Sequence, residues 1–383
     1  MITFFNKNKG IGGGENLIIN LTEYLYLQLN IEVKIICYKD SYIYNRLSDL
    51  KISFVFIDML QENFDADLTS KDVIIKTDPE NINWFKNSAA RMVYWEILPT
   101  VLANIINPIK KLFFKQLLFN YLLKNKGLFF MDINGIEELK DRGYKINDHE
   151  LLPIPAFIPS LYDVRKRKVN SYTTITYLGR AENWKIFPFK KVLDDLSSLD
   201  RLTFKIIIFC NDEAPYKKII KDTYKNISIS YCINKYGKEL EELLDEKSDC
   251  HFAMGTSAID SAKMGIPTVL LDYADTVFPE DYKYQFIFEA KGFSLGNSVE
   301  KAGYKDYQKN ITDICDCILS AEKYKEISKK CYDYVNGYHN IKIIAADVFK
   351  NVNNSTTYIS KVCKYFTYVG YENKIRKIIQ PNY

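Results

Sequence analysis

Residues 230–273 read SYCINKYGKELEELLDEKSDCHFAMGTSAIDSAKMGIPTVLLDY. The stretch opens on a β-branched and aromatic run, passes through a short polar loop at Asn234–Gly237, and continues as an acidic helical pattern. An apolar run, CHFAMG, follows; then Gly255-Thr256-Ser257 opens a second helical pattern that ends at Gly265, and PTVLLDY closes the series. Strands separated by helices of this length are joined by crossovers, which makes neighbouring strands parallel. The apolar runs do not alternate with polar residues, as expected of strands buried on both faces.

The same grammar extends outward in both directions. YTTITYLG and TFKIIIFC precede NISISYCI as further strands, with GKELEELLDEK and SAIDSAKMG as helices between later ones. Upstream, ITFFN, EVKIICY, ISFVFID, DVIIKTD, RMVYWEI and GLFFMDI form a first strand series. Helical patterns follow its first and last members, ENLIINLTEYLYLQL and NGIEELKDRG, the latter with Asn134 as candidate cap and Gly143 as candidate stop. Between the two series lies LLPIPAFIPSLYDVRKRKVNS, whose three prolines and basic polar run read as a linker. Past Asp306 the chain is helical and polar up to the basic tail KIRKIIQPNY. At 383 residues two cores are expected. The division is a first domain over 1–160, a linker over 161–171, a second domain over 172–335, and a helical segment over 336–383 packing back toward the first domain. The fold class is α/β, with two Rossmann-like, doubly wound parallel-sheet domains in tandem.

Bulk properties exclude several classes. A formal net charge of +4 does not suit a nucleic-acid binder. The first apolar run is interrupted after five residues, so no secretory signal is read, and no apolar run approaches the roughly 20 residues of a spanning helix. A cytoplasmic location is expected. Of the eight cysteines, Cys37, Cys210, Cys232 and Cys250 sit in or beside strands as small hydrophobes, and Cys315 and Cys317 have no second pair. With three histidines in the chain, no metal site is expected.

The N-terminal stretch MITFFNKNKGIGGGENLIINLTEYLYLQL (residues 1–29) holds four glycines within residues 10–14. A nicotinamide-binding turn needs its glycines directly after the strand and a third where the helix packs; here NKNKG intervenes and Glu15 takes the third place. Gly12, Gly13 and Gly14 still allow close backbone approach to a ligand at a helix N-terminus. The alternative is a mobile turn that binds nothing.

TYLGRAENWKIFPFKKVLDDL (residues 176–196) and residues 230–273 together resemble the donor half of GT-B glycosyltransferases, especially the family-four group that builds bacterial surface polysaccharides. GGGENLIINL is similar to the first βα loop of that family. The resemblance implies two Rossmann-like domains facing a cleft, transfer from a nucleotide-sugar donor to a glycan or lipid-linked acceptor, and no metal or other cofactor. It places Arg180 and Lys185 on the donor diphosphate, where cations stabilise the growing leaving-group charge. It sets Gly255, Thr256 and Ser257 at a helix N-terminus on phosphate, and Asp260 on the ribose hydroxyls. Asn234 and Tyr236 would line the base, and Gly12–Gly14 the transferred sugar. Each has a plainer reading: solvated surface cations, a carboxylate complementing a helix dipole, and Gly265 and Pro267 merely ending a helix and starting a strand. The family usually carries Glu-x7-Glu; Phe252 stands where the first glutamate belongs. An inverting enzyme would need a base in the first domain, and Asp78 and Glu96, each after an expected strand, are the candidates.

Between Glu96 and Asp132 stand five lysines and no acidic residue. Residues 107–126 read either as a basic, aromatic surface docking on anionic lipid at the inner face of the plasma membrane, or as a core helix with snorkelling lysines. Two rival functions remain at this level: a nucleotide-sugar epimerase of the same fold, and a non-catalytic sugar-nucleotide-binding protein.

Overall fold

The first sheet is built from β1 (Ile2–Phe5), β2 (Val33–Cys37), β3 (Val55–Asp58), β4 (Val73–Lys76), β5 (Arg91–Glu96) and β6 (Leu128–Phe130), all buried along nearly their whole length except the edge strand β3, of which only Ile57 is buried. In the computed structural model, which describes residues 1–61, 63–77, 82–97, 112–146, 151–159, 171–221 and 223–364, they lie in the order β3-β2-β1-β4-β5-β6. Every pairing is parallel. Helices α1 (Gly13–Leu29), α2 (Tyr42–Asp49), α3 (Leu112–Lys124) and α4 (Ile133–Asp141) belong to the same unit. α1 forms because Leu17, Ile18, Leu21 and Leu25 recur at helical spacing and bury one face; it ends at Asn30 in the left-handed conformation, φ 52°. α4 is capped by Asp132, whose side chain accepts from the Asn134 N–H, and not by Asn134 as expected. A carboxylate directly after β6 reaches the first free N–H sooner than Asn134, which lies inside the helix.

The second sheet comprises β7 (Thr173–Leu178), β8 (Phe204–Cys210), β9 (Ile227–Ile233), β10 (Cys250–Ala253), β11 (Thr268–Leu270) and the two-residue β12 (Gln285–Phe286). Its order is β12-β11-β10-β7-β8-β9, parallel except for β12, which pairs antiparallel with β11. Its helices are α5 (Asn183–Ser197), α6 (Ala214–Ile219), α7 (Gly237–Lys247), α8 (Thr256–Ala262), α9 (Ile311–Leu319) and α10 (Ala321–Tyr338). A last helix, α11 (Ile341–Asn354), returns to the first unit.

The chain divides at Pro155/Ala156 and again at Asn340/Ile341. Ala156 already belongs to the second unit because its N–H donates to the His339 carbonyl at 2.6 Å, at the end of α10. Residues 160–170, most of the expected linker, lie outside the described residues. Beyond α11 the backbone runs along β5: Met92 N–H donates to Thr357 O at 2.7 Å, and the Arg91 guanidinium donates to Ser355 O at 2.7 Å. All eight cysteines are free thiols.

Each sheet has one place where strand order reverses: between β1 and β4 in the first, between β7 and β10 in the second. The loops leaving two such strands diverge to opposite faces and open a crevice at the carboxyl edge, where ligands of open α/β sheets bind.

Candidate functional site

In the second unit the β7–α5 loop and the β10–α8 turn flank this reversal. Adjacent strands are about 4.8 Å apart, so the topology brings Arg180 and Lys185 together with Gly255, Thr256 and Ser257 at one edge. Arg180 is exposed, its guanidinium 3.5 Å from the Glu182 carboxylate. Lys185 is half-buried and lies 4.9 Å from the Trp184 ring centroid. Burial pulls its ammonium down to about 8; the Arg180 charge pushes the same way and Glu182 opposes.

Gly255 enters α8 with φ 67°, a left-handed conformation that a side chain would strain. Its N–H donates to Leu295 O at 2.8 Å, and the Thr256 and Ser257 N–H groups precede the first bond of the helix, from Ala258 N–H to Gly255 O at 3.1 Å. The Ser257 hydroxyl donates to Met254 O at 2.9 Å and is thereby committed to the turn itself. Asp260 lies one turn on, 41% exposed and 3.3 Å from Lys263, which also reaches Glu241 at 2.5 Å. Desolvation raises its carboxyl above the ordinary range; Lys263 opposes this and Glu241 adds to it. Asn234 and Tyr236 follow β9, two strands away from β7. Asn234 is left-handed at φ 56°, and the half-exposed Tyr236 donates its hydroxyl to Asn234 Oδ1 at 2.9 Å.

Phe252 lies inside β10 and is fully buried, its ring 6.0 Å from that of Tyr284. The turn from β10 to α8 is only Met254–Gly255, so the eighth residue before Asp260 falls in the core rather than on a loop. A carboxylate that the motif spacing does not locate stands one strand over: Asp272, two residues past β11 and 1% exposed. It accepts from Asn297 N–H at 2.8 Å and the Tyr307 hydroxyl at 3.1 Å, and burial pushes it up to about 6. Gly296, φ 115°, passes so close to Leu271 O that a Cβ would lie 2.5 Å from it.

In the first unit, the glycine turn follows β1 at the other reversal. Gly12 is the extended N-cap of α1, and Gly13 and Gly14 form its first turn. Sequence reading missed the carboxylate that organises them. Glu15 is buried, and its Oε1 accepts from Asn6 Nδ2 at 3.0 Å and Asn8 Nδ2 at 3.1 Å. A Cβ on Gly12 would stand 2.5 Å from Glu15 Oε2, so the motif's glycine makes room for its glutamate. Glu96 ends β5, 1% exposed, and lies against Gly135 of α4, where a Cβ would meet its Oε2 at 2.6 Å. Lys76, at the end of β4, is fully buried with Nζ 3.7 Å from the Phe5 ring centroid.

Asp78 lies outside the described residues, as do Lys110 and Lys111 of the basic segment and the tail beyond residue 364. Of the described part of the segment, Leu118, Phe119 and Leu122 of α3 belong to the core, while Leu117, Asn120, Lys124 and Lys126 are exposed. No helix among the described residues is long and apolar enough to cross a membrane.

No protein-family model matches the chain, and no curated protein does either. Solved structures do. A glycosyltransferase from Rickettsia africae aligns with TM-score 0.59 at 14% identity, covering 92% of this chain and 97% of its own. HepE from Anabaena, crystallised with UDP and glucose, aligns with TM-score 0.57 at 12% identity over 92% and 99%. A variant of S. aureus TarM, crystallised with UDP among other ligands, gives 0.57 at 10% over 92% and 99%. At these identities the likeness is one of fold: the chain has the GT-B fold.

Proposed function

We propose that this protein transfers a sugar from a nucleotide-sugar donor to a glycan or glycolipid acceptor in the synthesis of cell-surface polysaccharide. The observation that carries the reading is the edge of the second sheet. At its single strand-order reversal, Arg180 on the β7–α5 loop and Lys185 in the first turn of α5 stand beside the strand that leads to the glycine-entered start of α8, with Asp260 one turn along. Burial first, and the Arg180 charge second, hold Lys185 below the ordinary lysine range, and an arriving diphosphate would favour its charged form. In this reading Arg180 and Lys185 take the diphosphate, Asp260 the ribose, and Asn234 and Tyr236 the base. The Gly12–Gly14 turn serves the transferred sugar, and Glu96 or Asp78 the acceptor hydroxyl. UDP bound to HepE and TarM, which share the fold, supports a nucleotide donor.

One feature favours a second reading. With Phe252 in the core, the second unit lacks a carboxylate at that motif position, which suits a protein that binds sugar nucleotides without turnover. A panel of nucleotide sugars screened by thermal stabilisation separates the possibilities, since a ligand bound only by the folded state raises its melting point. Stabilisation by one donor followed by its hydrolysis or transfer supports the transferase. Stabilisation without turnover supports the binding protein, and stabilisation by none rejects both.

A further inference from the structure

The β7–α5 loop and the first turn of α5 are held by hydroxyl groups from buried tyrosines. Tyr216 of α6 is fully buried; its hydroxyl donates to Gly179 O at 3.1 Å and lies 3.4 Å from Arg180 O. Tyr177 of β7, also fully buried and stacked on Phe189 at 4.2 Å, donates to Lys185 O at 2.7 Å. Asn211, exposed after β8, accepts the Ala181 N–H on Oδ1 at 3.0 Å. Gly179 admits no side chain, because a Cβ would stand 2.8 Å from the Tyr177 ring.

We infer that Tyr216, together with Tyr177 and Asn211, is a positioning residue that fixes the backbone of the anion-binding loop; this rests on the reading that Arg180 and Lys185 bind the donor diphosphate. The peptide bonds here are trans, so a carbonyl and the N–H that follows it point in opposite directions. Pinning Gly179 O down onto Tyr216 therefore turns the Arg180 N–H away from the core. Both phenols are pushed far above their ordinary range by burial and remain neutral donors at any working pH. A loop held in its binding conformation spares the ligand the cost of ordering it.

The test is calorimetric titration of the full chain with UDP, inorganic pyrophosphate and uridine. Tyr216→Phe keeps the ring and removes the clamp, and it should weaken UDP and pyrophosphate by about two- to tenfold while leaving uridine unchanged. Asn211→Ala, at an exposed position, should act in the same direction by about two- to threefold with an unchanged melting point, and it decides the matter if Tyr216→Phe folds poorly. Equal losses for UDP and uridine, or parental affinity for pyrophosphate in both variants, would overturn the inference. Arg180→Ala separates the levels. If it loses affinity while the clamp variants do not, positioning fails alone; if it binds like the parent, the diphosphate reading fails and takes the clamp with it.

Discussion

The two sheets of this protein are near copies in architecture and opposites in chemistry at their carboxyl edges. Each has six strands and one reversal of strand order, and each sends a glycine-bearing turn into a helix beside that reversal. In the second unit the flanking loop carries Arg180 and the first turn of α5 carries Lys185, with tyrosine hydroxyls holding the backbone at both. In the first unit the corresponding edge carries buried carboxylates, Glu15 and Glu96, and the amides of Asn6 and Asn8; its loop also holds Lys7 and Lys9, the latter paired with Asp40, and Lys76 is turned inward onto Phe5. A parallel sheet supplies the crevice for geometric reasons alone, and a few residues at its edge then set the chemistry. An edge rich in cations suits a diphosphate. One rich in carboxylates and amides suits hydroxyl groups, whose protons it can accept.

If that contrast is functional, the largest effect should come from the carboxylate side. Glu96→Gln should reduce transfer by roughly a hundred- to ten-thousandfold, the usual weight of a general base, while nucleoside diphosphate affinity stays at its parental level. Donor titration and single-turnover transfer, measured on the same preparation, check this. Parental turnover with a lower melting point would instead make Glu96 a packing residue against Gly135 and leave Asp78 as the remaining candidate.

On the cationic side the expected loss is smaller and falls on binding. Arg180→Ala removes a charge-assisted partner worth on the order of 1.5–3 kcal/mol, so diphosphate affinity should drop roughly ten- to a hundredfold. The protein should remain folded, because Arg180 is exposed and its ion pair with Glu182 is a loose one at 3.5 Å. An equal loss for Glu96→Gln would break the division of labour between the two edges.

The eleven parallel strands of the described residues and their alternation with helices were legible in the sequence, because each rests on a local signal. VKIIC has no alternation and is buried on both faces, and Arg180 directly follows an expected strand that proves to be β7. What escaped rests on long-range pairing. β12 is two residues long and pairs antiparallel, with no periodicity to betray it. Tyr216 reaches a loop more than thirty positions upstream through backbone carbonyls, which any sequence supplies, so nothing in its neighbours marks the contact. Asp272 likewise becomes a buried carboxylate only when Asn297 and Tyr307 fold over it. Glu15 was within sight in the glycine motif, but its partners Asn6 and Asn8 lie in the insertion that made the dinucleotide reading fail.

The smallest effect, and the one that most sharpens the contrast, concerns pH. Burial, with Arg180 adding to it, brings Lys185 down to about 8, so in the free protein it loses its proton on going from pH 7 to 9. A diphosphate placed beside it favours the charged form and raises that value. Affinity should therefore be highest below pH 8 and fall above it, by at most about tenfold per pH unit, until the bound form also deprotonates. Binding at pH 8.5 should take up most of a proton, and binding at pH 7 almost none. Stability of the empty protein runs the other way. The folded value lies below the unfolded one, so this group costs stability when protonated in both states, and the cost fades as pH climbs from about 8 toward the ordinary lysine range. Calorimetric titration of UDP in buffers of different ionisation enthalpy reads the uptake directly, and Lys185→Gln should abolish its pH dependence while Glu96→Gln leaves it intact. Uptake that is the same at both pH values, or that survives Lys185→Gln, would place the diphosphate away from this loop and end the contrast between the two edges.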